Sequence, residues 1–374
     1  MHRRQFLKTA AAGAIALPFA PYASLASFAA QPSPVASTGW RSFEITTQVN
    51  IDFPKGSTRL WVPLPLAEDT DYQRTLSVSH EAPGAQVRSE FDPRYKAGML
   101  CVEWPESAGT PTVKLVSRVA TRDRHATLDS PGGLPPAKAE DLALWLQATE
   151  LLPTDGIVRE KAVEILRGLP KNAGNIARAR AIYDWVVEKT FRDPKTRGCG
   201  IGDVRYMLET NSLGGKCADI NAVFVALARA AGIPARDVYG IRVAASARGY
   251  KSLGKAGDIT RGQHCRAEFY ADGYGWIPVD PADVRKVMLE EEKGGLPPTD
   301  AKVMAIREHL FGNWEMNWIA FNRGHDLILP GSALGGQGKI GFLMYPNGET
   351  ADGRLDQLDP DNFKYTITAR EITA

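Results

Sequence analysis

Long apolar runs are almost missing from this 374-residue chain. The longest, Ala10–Ala20, is shorter than the roughly 20 residues that a membrane-spanning helix needs, so no stable membrane insertion is expected. An excess of one charge is missing too. There are 45 Lys+Arg against 43 Asp+Glu, a net charge of +2 with the signs interspersed, and this gives no basis for nucleic-acid binding. No phosphate-binding glycine loop, dinucleotide fingerprint or haem motif occurs. Asp359, Asp361 and Asp352 lack the remaining ligands of a calcium loop. The four cysteines form no Cys-x-x-Cys knuckle. No cofactor and no metal are expected.

What is present begins with an address. Arg3-Arg4-Gln5-Phe6-Leu7-Lys8 is a twin-arginine pattern, and small residues suited to a signal peptidase follow the apolar run around Ser24–Ala30. Residues 1–30 are therefore expected to be removed on export to the periplasm of a bacterium. Their loss takes Arg3, Arg4 and Lys8 with it and leaves a net charge of about −1. The remaining length exceeds a usual single domain, so two or three units are expected.

The chemistry concentrates in two stretches. In the first, Gly214-Gly215-Lys216 leads into Cys217, and Ile220, Phe224, Leu227 and Ala231 keep helical spacing until Gly232 and Pro234 end the pattern. Cys217 then sits in the first turn of a buried helix, where unpaired N–H groups and the positive end of the helix dipole favour a thiolate and could hold an oxyanion. In the second, Gln263–Tyr270 and Trp276–Asp280 read as two strands joined by a glycine-rich turn. Alternation puts His264, Arg266, Glu268 and Tyr270 on one face. His264 near the start of one arm and Asp280 near the end of the other fall opposite each other. A carboxylate so placed can fix the imidazole's tautomer while the other ring nitrogen faces a thiol.

Gly-Gly-Lys-Cys-Ala-Asp with Leu-Ala-Arg-Ala-Ala-Gly-Ile-Pro-Ala-Arg behind it, His264 in a strand, and Gly-Trp-Ile-Pro-Val-Asp-Pro resemble the bacterial transglutaminase-like superfamily over about residues 175–290. The resemblance implies a papain-like α+β core, a nucleophile helix packed on an antiparallel sheet, with Cys217 as nucleophile, His264 as base and acid, and Asp280 as its orienter. Cys265 stands where the family often has an aromatic or small residue. Strand alternation is expected to point it away from the site.

Around the core, residues 40–125 read as a small β-sandwich-like domain, with alternation at Phe43–Ile51, Leu60–Leu64, Leu100–Trp104 and Val113–Val119. Pro63 and Pro65 confine their segment to an edge or a strand end. A similar β region precedes many bacterial transglutaminase-like cores. Residues 126–174 read as linker and helices, with helices at Asp141–Leu152 and Asp155–Leu169; a further helix spans Asn175–Phe191. Residues 291–374 read as a helix at Thr299–Leu310 followed by strands at Trp314–Phe321, Asp326–Leu329, Ile340–Tyr345 and Phe363–Ala369. These extend the catalytic sheet or build a further layer. Asn322, Arg323, His325 and Asp326 read as a structural turn.

Side-chain candidates for an oxyanion donor are Asn211 and Trp185. The glycine-rich insertion at residues 244–262 could border a substrate cleft through Tyr250 and Lys251. A Cys199–Cys265 bridge is conceivable on exposure to an oxidising compartment. A zinc site from Cys199, Cys217, His264 and Cys265 would need neighbouring strand residues to face one ion. The expected function is acyl transfer on amide bonds of a protein, peptide or peptidoglycan stem, more hydrolytic than cross-linking. The alternative is a non-catalytic peptide- or envelope-binding module that retains the fold.

Overall fold

The computed structural model describes residues 39–373 apart from 53–55 and 106–108; the twin-arginine segment lies outside the described residues. Strand Arg41–Asn50 buries alternate residues, as its period-two pattern requires. It pairs antiparallel with Thr112–Thr121 on one side and with Tyr365–Ile372 on the other. Gln73–Glu81 and the two-residue strand Gly257–Asp258 form the outer edges of this five-stranded sheet. A second five-stranded sheet runs in the order Gly353–Arg354, Asn347–Thr350, Thr58–Pro63, Gly98–Trp104, Gln86–Phe91. Phe43, Ile45, Leu60, Val62, Leu100, Leu115 and Ile367 share one core between the two sheets, which is a sandwich.

The sandwich is thus drawn from both ends of the chain. Tyr365–Ile372 completes the sheet begun by Arg41–Asn50, and Asn347–Thr350 pairs with Thr58–Pro63. Residues 347–372 close the N-terminal layers and build none of their own, whereas Trp318–Asn322 does extend the catalytic sheet. Between these, the strands expected at Asp326–Leu329 and Ile340–Tyr345 reduce to a single bridge, Leu327 to Ile340.

The other layer centres on a four-stranded antiparallel sheet ordered Gly275–Val279, Gln263–Ala271, Ala235–Arg242, Trp318–Asn322. The helix Cys217–Ala230 packs on it, with every residue from Cys217 to Arg229 buried. Helices Gly156–Leu166 and Asn175–Lys189 cover its far side in the same core. That is why the helix is apolar nearly all round. The helix expected at Asp141–Leu152 is shorter, one turn at Ala139–Ala143 and a 3-10 turn at Leu144–Leu146 that buries Trp145. Three helices were not expected from the sequence, Pro360–Phe363 and the two longer ones at Val204–Glu209 and Pro281–Glu290. All three begin at an aspartate whose side chain accepts a first-turn amide, Asp203, Asp280 and Asp359.

One buried carboxylate binds the sheet to its surroundings. Glu268, fully buried in the histidine strand, accepts from Arg124, from Arg236 Nε at 2.6 Å, and faces Arg323 Nε at 3.4 Å. Burial alone would raise its pKa, but Arg236, Arg124 and Arg323 outweigh this and hold it well below the usual carboxylate range. Arg236 is stacked in turn on Trp276, 3.7 Å from the ring centroid. The stability from this carboxylate is present above its unfolded pKa of about 4.3 and lost as pH falls through the depressed folded value. Removing it strands three arginines, so Glu268→Ala should cost about 3–5 kcal/mol in urea unfolding at neutral pH. A loss under about 1 kcal/mol, the scale of a surface pair, would show that the cluster is not a structural tie.

Candidate active site

The start of the Cys217 helix is held by Asp219. Its carboxylate accepts from Lys216 N, Ile201 N and Gly202 N, each at 2.9 Å, so one side chain caps the helix and pins the preceding loop. The close approach explains a glycine: Gly200 has φ +94°, and a Cβ there would lie 1.8 Å from the Asp219 carboxylate. The first-turn amides around Cys217, including its own, have no intrahelical acceptor. Ala218 N is taken by Cys199 O at 2.9 Å.

His264 lies on the neighbouring strand, with its Nε2 2.7 Å from Asp280 Oδ2. Strand pairing stops at Ala267 opposite Val279. Asp280 is therefore one residue past the ladder and reaches His264 diagonally, not directly across. Its other oxygen accepts from Asp283 N at 3.1 Å and from Asn221 Nδ2 at 3.3 Å. Asn221, one turn along the Cys217 helix, also donates to Cys265 O at 2.9 Å and accepts from Ala282 N at 3.2 Å. This single side chain fastens helix, histidine strand and acid-bearing turn together. Asp283 lies 3.4 Å from His264 Nε2 and is gripped by Arg242 NH2 at 2.5 and 2.7 Å.

These neighbours set the protonation states. The Cys199 and Cys265 thiols, as hydrogen-bond donors, hold the Cys217 thiol well below its ordinary value; His264 adds to this and burial opposes it. The flanking thiols are pushed the other way, Cys199 first by its bond to Cys217 and Cys265 first by burial. Burial and Arg242 act against the His264 imidazolium, but Asp283 and Asp280 together raise it above its usual value. Asp283 is drawn far below the carboxylate range: Arg242 and His264 overcome burial. Asp280 is raised, by burial and then by the charge of Asp283. A thiolate beside an imidazolium is the favoured state.

Cys217 and His264 open onto one cavity of about 210 Å³, also lined by Cys199, Gln263 and Tyr345. The structure brings Cys217, His264 and Asp280 together; the other candidates lie elsewhere. Asn211 is exposed in a left-handed turn (φ 53°), and Trp185 packs beneath Lys161 on the Asn175–Lys189 helix. Neither lines the cavity. Tyr250 donates to Lys302 O, and the Lys251 side chain is exposed, 3.7 Å from Glu292. The 244–262 segment meets the cavity at Thr260, Arg261 and Gly262 instead. Cys265 does turn to the face opposite His264, but that is the face on which the Cys217 helix packs, so its thiol supports Cys217 and does not point away from the site. All four cysteines are free, so no Cys199–Cys265 bridge forms. Among the described residues the only grouping with metal-ligand spacing is His264, Asp280 and Asp283, which excludes the three-cysteine set. Its atoms are already engaged with one another and with Arg242.

Sequence reasoning missed Gln263, Arg242, Asp283 and Asn221. Asp283 had a local signal, because Asp280-Pro281 is an N-cap followed by proline at the first helical position. The others are brought in only by tertiary packing. Alkylation by iodoacetamide should find Cys217 first, and at a pH well below the ordinary thiol pKa of about 8.5. The rate should fall as pH drops through the depressed Cys217 value. His264→Ala should move that fall to higher pH; uniformly slow labelling of all four thiols would contradict the thiolate assignment.

Residues 159–281, the stretch that carries all three side chains, match the family model of the transglutaminase-like superfamily. An uncharacterised protein of Haemophilus influenzae is 38% identical over 359 residues, covering 91% of this chain and 94% of that one. A solved structure from Cytophaga hutchinsonii, described as a candidate cysteine protease, superposes with a TM-score of 0.55 at 14% identity, over 90% of this chain and 92% of that one. The likeness is one of fold. The periplasmic domain of TgpA from Pseudomonas aeruginosa aligns over 69% of this chain and 94% of that domain at 15% identity, with a TM-score of only 0.35. No helix among the described residues is long and apolar enough to cross a membrane. By its matched region the chain carries a transglutaminase-like domain at residues 159–281, and over nearly its whole length it belongs to one family with the uncharacterised Haemophilus influenzae protein.

Proposed function

We propose that this chain is an exported cysteine peptidase or amidase, acting in the periplasm on amide bonds of proteins, peptides or peptidoglycan stems. The observation that carries the reading is the 2.7 Å bond from His264 Nε2 to buried Asp280, beside a cavity that His264 shares with the thiol at a helix start. In this reading the Cys217 thiolate attacks the amide carbonyl, and the carbonyl π electrons move onto oxygen. The His264 imidazolium then protonates the departing amine as the C–N bond breaks, which leaves a thioester. Neutral His264 next takes a proton from water as it attacks, and the thioester collapses to acid and thiolate.

Two donors are suited to the oxyanion. One is the Cys217 amide. The other is Gln263, which lines the cavity and whose buried Nε2 has no hydrogen-bond partner among the described residues. A buried donor left open costs free energy unless something arrives to accept from it.

Purified protein should release new amines from peptide substrates, and Cys217→Ala and His264→Ala should each remove at least about 10³-fold of that activity. Gln263→Ala should lower kcat by about 10²-fold with little change in Cys217 alkylation. Amide cleavage that survives Cys217→Ala would sink the proposal. Separately, replacing Arg3 and Arg4 by lysine should leave the protein in the cytoplasmic fraction; unchanged periplasmic recovery would remove the twin-arginine route.

A further inference from the structure

The cavity that holds Cys217 and His264 is lined by Arg192, Lys216, Arg242, Arg261 and Lys286, and by no aspartate or glutamate among the described residues. The carboxylates that partner these cations stand behind them. Arg242 is committed to buried Asp283. Glu290 serves two cations at once: it pairs with Arg192 and lies 3.7 Å from Lys286 Nζ. Burial, then the charges of Arg242 and Arg192, push the Lys286 ammonium down against Asp283 and Glu290. Arg261 reaches Asp361 at 2.7 Å, but both side chains are largely exposed, 65% and 83%, so that pair is cheaply exchanged for another partner. Lys216, the residue before the nucleophile, has no ion pair among the described residues.

A second cavity of about 530 Å³ adjoins the first, sharing Thr260, Arg261, Pro360 and Tyr365 and adding Lys255 and Lys364 to the lining together with Asp258 and Asp361. The two cavities meet at the four shared residues and together form one opening. Its basic end is at the nucleophile.

We infer that the groove selects acidic peptides, with a substrate carboxylate seated on Lys216 and Arg261 within a residue or so of the amide that Cys217 attacks. This rests on the amidase reading for its chemistry but is carried by a separate observation, the cationic lining. A cavity lined by five cations and no carboxylate among the described residues raises the local concentration of anions, and it repels a lysine or arginine side chain at the same subsite. A neutral amide in place of the carboxylate loses that attraction without changing shape.

The test uses two peptides that differ only in glutamate against glutamine beside the scissile bond, bound to the Cys217→Ser protein and followed by calorimetry. The glutamate peptide should bind about tenfold more tightly at about 20 mM salt, with the margin shrinking at about 200 mM. Lys216→Gln and Arg261→Gln, whose side chains sit at the surface of the groove, should remove most of the margin while melting temperatures stay unchanged. Equal binding, no binding of either peptide, or a margin indifferent to salt and to both substitutions would overturn the inference. Failure here and failure of the enzyme reading are separable. Rapid turnover of both peptides alike by the unmodified protein would keep the amidase and remove the acidic preference. A strong glutamate preference in binding without any turnover would keep the acidic groove and remove the amidase.

Discussion

The site depends on how one carboxylate is shared. Asp280 turns one oxygen to His264 and the other to the Asp283 amide and Asn221. It is at once the end of the sheet, the cap of the Pro281–Glu290 helix and the orienter of the imidazole. A helix N-cap is a favourable place for a negative charge, because the first-turn amides and the helix dipole stabilise it. Here that stabilisation is spent in a fully buried position, where the charge of Asp283 works against it. Asp283 is tolerable only because Arg242 takes both of its oxygens. The chain of dependence runs from Arg242 through Asp283 and Asp280 to His264. It joins a sheet strand, a helix and the catalytic turn in a region from which water is largely excluded, so each link is stronger than it would be at the surface and costlier to leave unmade.

The nucleophile's side is organised by a second shared carboxylate. Asp219 holds the loop that carries Cys199 and Gly202 against the start of the Cys217 helix. Cys199 is thereby placed beside Cys217, its Sγ donating to Gln263 O at 3.3 Å, while Cys265 flanks Cys217 from the strand. Two thiols kept protonated by burial and by their neighbour flank the third and favour its anion, alongside the His264 imidazolium. Three of the four buried, unbridged cysteines are thus gathered at one charge.

Much of the fold was legible in the sequence because it rests on periodicity. The spacing of Ile220, Phe224 and Leu227 and the glycine at 232 mark the helix, and the alternation at Phe43–Val49 marks its strand. The α+β core with an antiparallel sheet followed from those patterns together with the family resemblance. What could not be read was which strands close which sheet, since pairing of Val49 with Tyr365 joins segments that no local rule connects. The same limit applies to the site. The contexts of Cys217, His264 and Asp280 are local, and their meeting could be anticipated. Gln263 and Arg242 matter through what converges on them in space. Cys265 shows a subtler gap: alternation gave its face, but only the packing of the helix reveals that this face also touches the nucleophile.

The wall of the groove has a place in time as well as in space. Pro360 and Tyr365 line it, and Tyr365 opens the strand that completes the sheet begun at Arg41. Synthesis runs from the amino end, so Cys217, His264 and Asp280 all emerge before the residues that shape the cleft around them. Contacts between such distant segments form late in folding, after the cost of closing the intervening chain has been met. A chain still on the ribosome has its nucleophile but not its groove. The cleft is finished only when residues 360–372 have joined the sandwich.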